Sequence, residues 1–345
     1  MLEAQKRRRR AGPGPARGRE GAETGVRSTG SGLLVPELMA RVQQIQLRTH
    51  KLVNTALAGS YRSTFHGTGL EFQEVRPYQP GDDVRAIDWN VTARTGLPFI
   101  KKYAEERELT VHLLVDTSLS MDFGSARWTK REAAAQFAAL VSFVAMRNQD
   151  RVGLGLFGEE PGLHLDSRKG NRHVLRVIRE VIAAAPTPGG SPTHGGSNLH
   201  AILEHSVRGL HRRGMVFLIS DFLGAPTEED CGPGEPFWGE PLRSLATRHD
   251  LIVVRVVDPL EEELPRAGLV SCLEAESGRP MEIDTRSRPV REAWAAAARK
   301  RRKQLASTLA KSRADSLEIR TDTDIADPLA AFFRRRSLKH GGRVT

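Results

Sequence analysis

The chain has 345 residues, of which 39% are hydrophobic, and it carries 52 Lys and Arg against 42 Asp and Glu, a formal net charge of +10. This composition is typical of a globular protein with a substantial core, and it excludes collagen-like and fully disordered chains. No stretch approaches the roughly 18 apolar residues of a membrane span, and no apolar segment of a secretory signal follows the basic N-terminal run. We therefore expect a cytoplasmic protein.

The positive charge is concentrated at the two ends of the chain. Residues 1–20 contain seven Lys and Arg against two Glu, and residues 334–345 contain five against no acidic residue. The rest of the chain carries 40 charged residues of each sign, so its body is formally neutral. We therefore expect no specific nucleic-acid-binding core, and the basic ends remain candidates for contact with an anionic polymer or membrane surface.

The sequence divides into four predicted regions. Residues 1–32 are rich in Gly, Pro, Arg and Ser and have too little apolar surface to fold, which predicts a disordered basic arm. Residues 33–108 are predicted to form a helix over about 36–57 and then a β-rich subdomain, in which LEFQEVRPY, DDVRAIDW and LPFIKKYAEE read as short strands. Residues 109–335 form the main domain, and residues 336–345 a basic tail.

Buried strands alternate with helices along the main domain. Strands are predicted at 110–116, 151–157, 215–221, 251–258 and 316–320, and a short β excursion at 269–284. Helices are predicted near 127–147, 171–184, 198–210, 240–248 and 289–312, and from 327 onward. Continuous aliphatic strands that alternate with helices predict an α/β fold, with a doubly wound, mostly parallel sheet covered on both faces.

Oxygen-bearing side chains follow two of the predicted strands, and ligands of such sheets collect beyond the carboxyl ends of the strands. Asp116, Ser118 and Ser120 form a D-x-S-x-S run after the first strand, Asp221 ends the strand at 215–221, and Ser197 lies just before a helix. Hard oxygen ligands of this kind suit Mg²⁺ or Mn²⁺. The alternative is that these residues cap helices and turns and never meet.

This set of residues resembles the metal-ion-dependent adhesion site of von Willebrand factor A domains. The resemblance assigns Asp116, Ser118 and Ser120 to the first metal-binding loop, Ser197 to the position where Thr is usual, and Asp221 to the third loop. The segment from EFQEVRPYQPGDDVRAIDW to LLVDTSLSM is similar to the bacterial family called domain of unknown function 58. That resemblance implies a von Willebrand factor A-like core, a Rossmann-type sheet, and partnership with MoxR-type AAA+ ATPases.

The segment that follows Asp221 is acidic and has two aromatic residues. Residues 222–242 contain five acidic residues and no Lys or Arg, and Phe237 and Trp238 are predicted to anchor a protein partner, because aromatic residues are enriched at interface hot spots. The alternative is a mobile solvated loop. A G-x-G-x-x-G match at Gly153–Gly158 lies in a predicted strand and does not open a helix, which argues against dinucleotide binding.

The leading functional hypothesis is a non-catalytic protein-interaction module that uses a divalent metal and acts with a MoxR-type ATPase or a client protein in complex assembly. An alternative is a metal-dependent phosphoester hydrolase, although no general base or phosphate-binding lysine is evident near the D-x-S-x-S loop. A second alternative is a tether that binds anionic polymers or membranes through the basic ends.

Overall fold

The computed structural model describes residues 61, 69–106, 108–158, 161–184, 198–223, 236–273 and 280–341. The arm predicted for residues 1–32, the helix predicted near 36–57 and the candidate ligand Ser197 lie outside the described residues.

The described part contains a central sheet, two antiparallel strand pairs and helices. Its strands are β1 (Gly69–Pro77), β2 (Phe99–Glu106), β3 (Thr110–Asp116), β4 (Arg151–Phe157), β5 (Pro161–Arg168), β6 (Met215–Ser220), β7 (Asp250–Val257), β8 (Leu269–Leu273), β9 (Pro280–Asp284) and β10 (Asp315–Arg320). Its α-helices are α1 (Trp89–Thr95), α2 (Lys130–Arg147), α3 (Asn171–Ala183), α4 (Leu199–Gly209), α5 (Gly239–Arg248), α6 (Pro259–Glu262), α7 (Arg288–Ser312) and α8 (Ala326–Gly341).

Six strands form the central sheet in the order β10-β7-β6-β3-β4-β5. All neighbouring pairs are parallel except β4 and β5. The predicted fold class, a mostly parallel doubly wound α/β sheet, is therefore confirmed. The sequence analysis missed β5, because only Leu163 and Leu165 in this strand have large apolar side chains, and the strand follows β4 after only a short connection.

Both faces of the sheet are covered because its central strands are apolar throughout. On β3, Val111, Leu113 and Val115 join the cluster formed with α2, α3 and α8, whereas Leu114 joins the cluster formed with α4, α5 and α7. Full burial of one such side chain contributes about 1.5–3 kcal/mol. The two clusters hold the sheet rigid, so the loops at its edge have a fixed base.

Two glycines of the G-x-G-x-x-G match, Gly153 and Gly155, lie on β4 and contact neighbouring strands. A Cβ atom at Gly153 would lie 2.9 Å from the His112 ring, and one at Gly155 would lie 3.0 Å from the Leu114 side chain. A larger residue at Gly153 would therefore force the His112 ring to shift, and one at Gly155 would crowd Leu114, so glycine at both positions favours the close packing of β4 on β3. Since the segment is a strand and opens no helix, it has no phosphate-binding geometry.

The predicted strand DDVRAIDW is wrong, although the strands on either side of it are present as the antiparallel pair β1 and β2. Residues 84–86 form a 3₁₀ turn capped by Asp83, and Asp88 caps α1 by accepting hydrogen bonds from the N–H groups of Asn90 and Val91. Gly96 ends α1 in the left-handed conformation. An aspartate cap at one end and a glycine at the other are helix signals that outweigh the alternating pattern.

The last helix, α8, continues to Gly341 and so extends into the predicted basic tail, residues 336–345. The Arg336 guanidinium is buried, forms an ion pair with Asp315 at 3.2 Å and also pairs with Asp250. These acidic residues begin the adjacent strands β10 and β7, so Arg336 fastens the last helix to the edge of the sheet opposite the strand ends.

A buried carboxylate joins β4 to the N-terminal part of the chain. Asp150 accepts hydrogen bonds from the Tyr61 hydroxyl at 2.9 Å and from the Leu109 N–H at 2.8 Å. The Tyr61 ring contacts the Phe333 ring edge-on at 5.8 Å. Burial raises the pKa of Asp150 to about 6, although both hydrogen bonds favour the ionised form.

We predict that Asp150 makes the protein less stable as the pH rises from about 4 to about 6. The pKa of Asp150 is raised in the folded state from the usual 3.8 to about 6, so its contribution is fully present below pH 3.8 and is lost as the pH rises through 6. In Asp150→Asn, thermal unfolding followed by circular dichroism should show a smaller decrease over this range. The exposed control Asp166→Asn should keep the wild-type profile, and coincident profiles for Asp150→Asn and wild type would contradict the prediction.

Candidate functional site at the strand ends

The D-x-S-x-S loop is folded tightly at the end of β3. Asp116, the last residue of that strand, accepts hydrogen bonds from the Ser118 N–H at 2.8 Å and from the Ser220 hydroxyl at 2.6 Å. The hydroxyl oxygens of Ser118 and Ser120 lie 3.1 Å apart. All four residues are buried, so the end of β3 and the end of β6 form one polar cluster.

A second carboxylate alters the electrostatics of this cluster. Burial, followed by the negative charge of Asp221, raises the pKa of Asp116 to about 6, against the lowering effect of the Ser220 and Ser118 hydrogen bonds. Asp116 and Asp221 are therefore close enough to repel each other. A cation near the two carboxylates would relieve this repulsion.

The structure places a lysine ammonium at Asp221. Lys130 Nζ lies 2.5 Å from Asp221 Oδ2 and also forms an ion pair with Glu261. The Lys130 side chain is 0% exposed. Burial by itself would lower the pKa of Lys130, but the carboxylates of Asp221 and Glu261 raise it above its usual value, so this side chain is a buried cation.

Local sequence explains why Lys130 reaches this edge. Thr129 and Glu132 form a reciprocal capping box that starts α2, and Lys130 is the first residue of that helix. The helix follows β3 and therefore begins beside the carboxyl end of the sheet. The sequence analysis found no lysine near the D-x-S-x-S loop, because Lys130 lies ten positions after Ser120 in the printed sequence. The capping signal T-x-x-E was the available clue.

Asp258 connects three segments at the same edge. This fully buried carboxylate at the end of β7 accepts hydrogen bonds from the Ser125 N–H at 2.8 Å, the Thr321 hydroxyl at 2.7 Å and the Leu260 N–H at 3.0 Å. It also accepts one from the Ser125 hydroxyl. It thus joins the loop after β3 to the end of β10. No role was predicted for Asp258 from the sequence.

The loop residues fit a divalent ion by donor chemistry and spacing. Two ligands on neighbouring corners of an Mg²⁺ octahedron are about 3 Å apart, because each bond is about 2.1 Å long. The Ser118 and Ser120 hydroxyls form a hydrogen bond of 3.1 Å, and this separation of the two oxygens also agrees with that spacing. Over the described residues, no group of three or more His, Cys, Asp and Glu side chains could hold a metal, so an ion here would depend on serine hydroxyls. Asp116, Ser118 and Ser120 would hold it.

The two aromatic residues predicted to contact a partner have different environments. Phe237 is 51% exposed, and its ring lies 5.2 Å from the ring of His200, which opens the first turn of α4. Trp238 is only 3% exposed and packs on Phe222 in the core under α5, so its assignment as a partner anchor is corrected. Leu119, inside the D-x-S-x-S loop, is 49% exposed, and the sequence analysis did not select it.

The segment containing Ser197 lies outside the described residues, but the residue after it is located. The Asn198 N–H donates a hydrogen bond to the Gly158 carbonyl at 2.7 Å, and Asn198 caps α4. A Cβ atom at Gly158 would lie 3.4 Å from the Thr117 hydroxyl. Asn198 is therefore anchored to the loop that adjoins the D-x-S-x-S run.

The fold and this cluster define a doubly wound α/β protein with a polar, carboxylate-rich site at its strand ends. The chain belongs to the family described as "Protein of unknown function DUF58", whose family model matches residues 74–304. The uncharacterized protein Rv1480 of Mycobacterium tuberculosis H37Rv is 34% identical over 310 residues, which are 89% of this chain and 92% of that protein. The uncharacterized protein YeaD of Bacillus subtilis 168 is 27% identical over 110 residues, which are 32% of this chain and 25% of YeaD.

The chain is also similar to solved structures at low sequence identity. The conserved hypothetical protein BatB from Bacteroides thetaiotaomicron has a TM-score of 0.42 at 14% identity, covering 67% of this chain and 99% of BatB. The SpRpn10 VWA domain has a TM-score of 0.34 at 12% identity, covering 64% of this chain and 93% of that domain. No helix within the described ranges has both the length and the apolar character needed to cross a membrane.

We predict that Asp258→Ala lowers the free energy of unfolding by about 2 kcal/mol, because it leaves the buried Thr321 hydroxyl without its acceptor and removes the bonds that Ser125 donates to Asp258. Urea unfolding followed by fluorescence measures this change. Asp284→Ala is the matched control, since Asp284 is exposed and accepts a hydrogen bond from the Arg286 N–H in a turn. Equal effects of the two substitutions would show that the Asp258 network does not stabilise the edge.

Proposed function

We propose that this chain is a non-catalytic protein-interaction module that binds its partner at the strand-end edge of the sheet. The observation that carries the proposal is the combination of a buried carboxylate cluster with exposed apolar side chains around it. Leu119 projects from the D-x-S-x-S loop, and Phe237 lies where the chain enters α5, both about half exposed. Exposed apolar groups beside a rigid polar site are typical of binding surfaces.

The charged groups at this edge support a binding role over a hydrolytic one. Lys130 is the lysine that a phosphoester hydrolase would need near the loop, but its ammonium is fully buried and held by Asp221 and Glu261. Asp116 accepts two hydrogen bonds and points into the protein. Neither group is positioned to contact a phosphate in solvent.

We further propose that Mg²⁺ or Mn²⁺ binds at Asp116, Ser118 and Ser120, with Ser197 as a further member of the site by resemblance to von Willebrand factor A domains. The same resemblance assigns Asp221 to the site, but in this structure Asp221 is paired with Lys130. The spacing of the two serine hydroxyls supports this assignment. When bound, the ion would supply positive charge that attracts a carboxylate of the partner. Ser118 and Ser120 would hold the ion together with Asp116, which also orients the loop by accepting a hydrogen bond from the Ser118 N–H.

The partner that we propose is a MoxR-type AAA+ ATPase, which would act with this chain in the assembly or maturation of a client complex. Support comes from the similarity of the chain to the domain of unknown function 58 family, with which such ATPases are associated. In this role the chain contributes recognition, and the ATPase contributes the energy of ATP hydrolysis.

We predict that Leu119→Ala/Phe237→Ala weakens binding to the purified MoxR-type ATPase of the same organism. Losing two half-exposed apolar contacts should cost about 2 kcal/mol, or roughly a 30-fold increase in Kd. Titration calorimetry with ATP present measures the Kd. The control is Leu338→Ala on α8, an exposed leucine far along the helix from the strand ends.

An unchanged Kd for the double variant would exclude this face as the binding surface. The contribution of the metal is tested by the same titration in EDTA and with Ser118→Ala/Ser120→Ala. If a metal at the loop bridges to the partner, both changes should weaken binding to a similar extent. Full binding in EDTA would remove the metal from the proposal and leave the interaction surface unaffected.

A further inference from the structure

We propose that Lys130 is a built-in cation of the strand-end edge, which neutralises Asp221 and Glu261 so that Asp221 is not a ligand of any divalent ion bound by the D-x-S-x-S loop. The inference rests on the proposed function only for the position of that ion. It divides the residues expected at one metal site into two sets. Asp116, Ser118 and Ser120 remain available to a divalent ion, and Asp221 belongs to the lysine.

The first observation concerns the contacts of the two Asp221 oxygens. Its Oδ2 atom lies 2.5 Å from Lys130 Nζ, and its Oδ1 atom accepts a hydrogen bond from the Leu223 N–H at 3.1 Å. Both oxygens of Asp116 also accept hydrogen bonds, so the difference between the two carboxylates is that Asp221 is paired with a full positive charge. A divalent ion at Asp221 would have to lie beside a buried ammonium, where the two cations would repel each other strongly.

The second observation is that the Lys130 ammonium is fixed in a buried position. The ammonium cannot readily move to solvent, because its side chain is 0% exposed and the helix that bears it begins at a capping box. The following residues of α2, from Ala133 to Ala135, lie in the core. The lysine is thus fixed to the edge by the same helix that covers the sheet.

The third observation is that one ammonium compensates the charge of two carboxylates. Asp221 and Glu261 both bind Lys130, and Asp116 is the further carboxylate at this cluster. An ammonium shared by two carboxylates supplies the compensation that buried charges require. Removing the ammonium would leave Asp221 and Glu261 without a compensating positive charge. A divalent ion could then take the place of the ammonium.

The test is thermal unfolding of the full chain in EDTA and in Mn²⁺. For wild type we expect either no effect of Mn²⁺ or a stabilisation that Asp221→Asn retains and Ser118→Ala abolishes. Lys130→Met should lower the midpoint in EDTA by roughly 10 °C, because it leaves buried carboxylates unpaired. Mn²⁺ should recover part of that loss, and Lys130→Met/Asp221→Asn should show no such recovery. The matched control is Lys303→Met on the exposed face of α7.

Two results would overturn the inference. One is a Mn²⁺ stabilisation of wild type that Asp221→Asn abolishes, because Asp221 would then be a metal ligand beside Lys130. The other is a Lys130→Met variant that is as stable as Lys303→Met or gains no response to Mn²⁺. If Lys130→Met does not fold, Lys130→Met/Glu261→Gln, with one fewer unpaired carboxylate, replaces it in the same comparison. None of these measurements uses a protein partner, so they are independent of the binding test.

Discussion

The constraint on which this structure depends is that several carboxylates are buried at one edge of a parallel sheet. Asp116, Asp221 and Asp258 lie at the ends of three neighbouring strands, where parallel geometry brings the strand ends together. Buried carboxylates are tolerated only when hydrogen bonds or cations compensate them. Here serine and threonine hydroxyls compensate two of the three, and the ammonium of Lys130 compensates the third. The conformation of the loops at this edge places those hydroxyl and ammonium groups beside the carboxylates.

The side chains that stabilise this edge of the sheet differ from the side chains that are exposed there. The carboxylates and Lys130 face inward and hold the loops, whereas Leu119 and Phe237 are exposed. A loop that is held in place loses little conformational entropy on binding. More of the free energy of its apolar contacts therefore contributes to affinity. The proposed interaction surface is thus preorganised by the fold, and the buried charges need not take part directly in recognition.

Sequence patterns were sufficient for the five parallel strands of the sheet, but not for the antiparallel strand β5, and only partly sufficient for the site. Continuous aliphatic runs such as TVHLLVD identify buried parallel strands, and the position of Asp116 at the end of one follows directly. Lys130 was not predicted at the site, and Trp238 was predicted to be exposed to a partner. Both side chains have a polar group, and their burial depends on partners distant in sequence. Glu261 lies more than a hundred positions from Lys130, and Phe222 and Trp238 flank a loop that looks exposed in the sequence. Periodicity describes a single element and does not contain those long-range contacts.

The packing of Phe222 against Trp238 has a consequence for how the family can diversify. Their ring centroids lie 6.4 Å apart, one directly after the end of β6 and the other at the start of α5, so the connection leaves and re-enters the core at nearly the same point. For a connection anchored in this way, the entropy of closure grows only slowly with its length. Insertions and deletions between these two aromatic residues can therefore accumulate without displacing the sheet, which makes this connection a place where relatives can acquire different specificities on a common core.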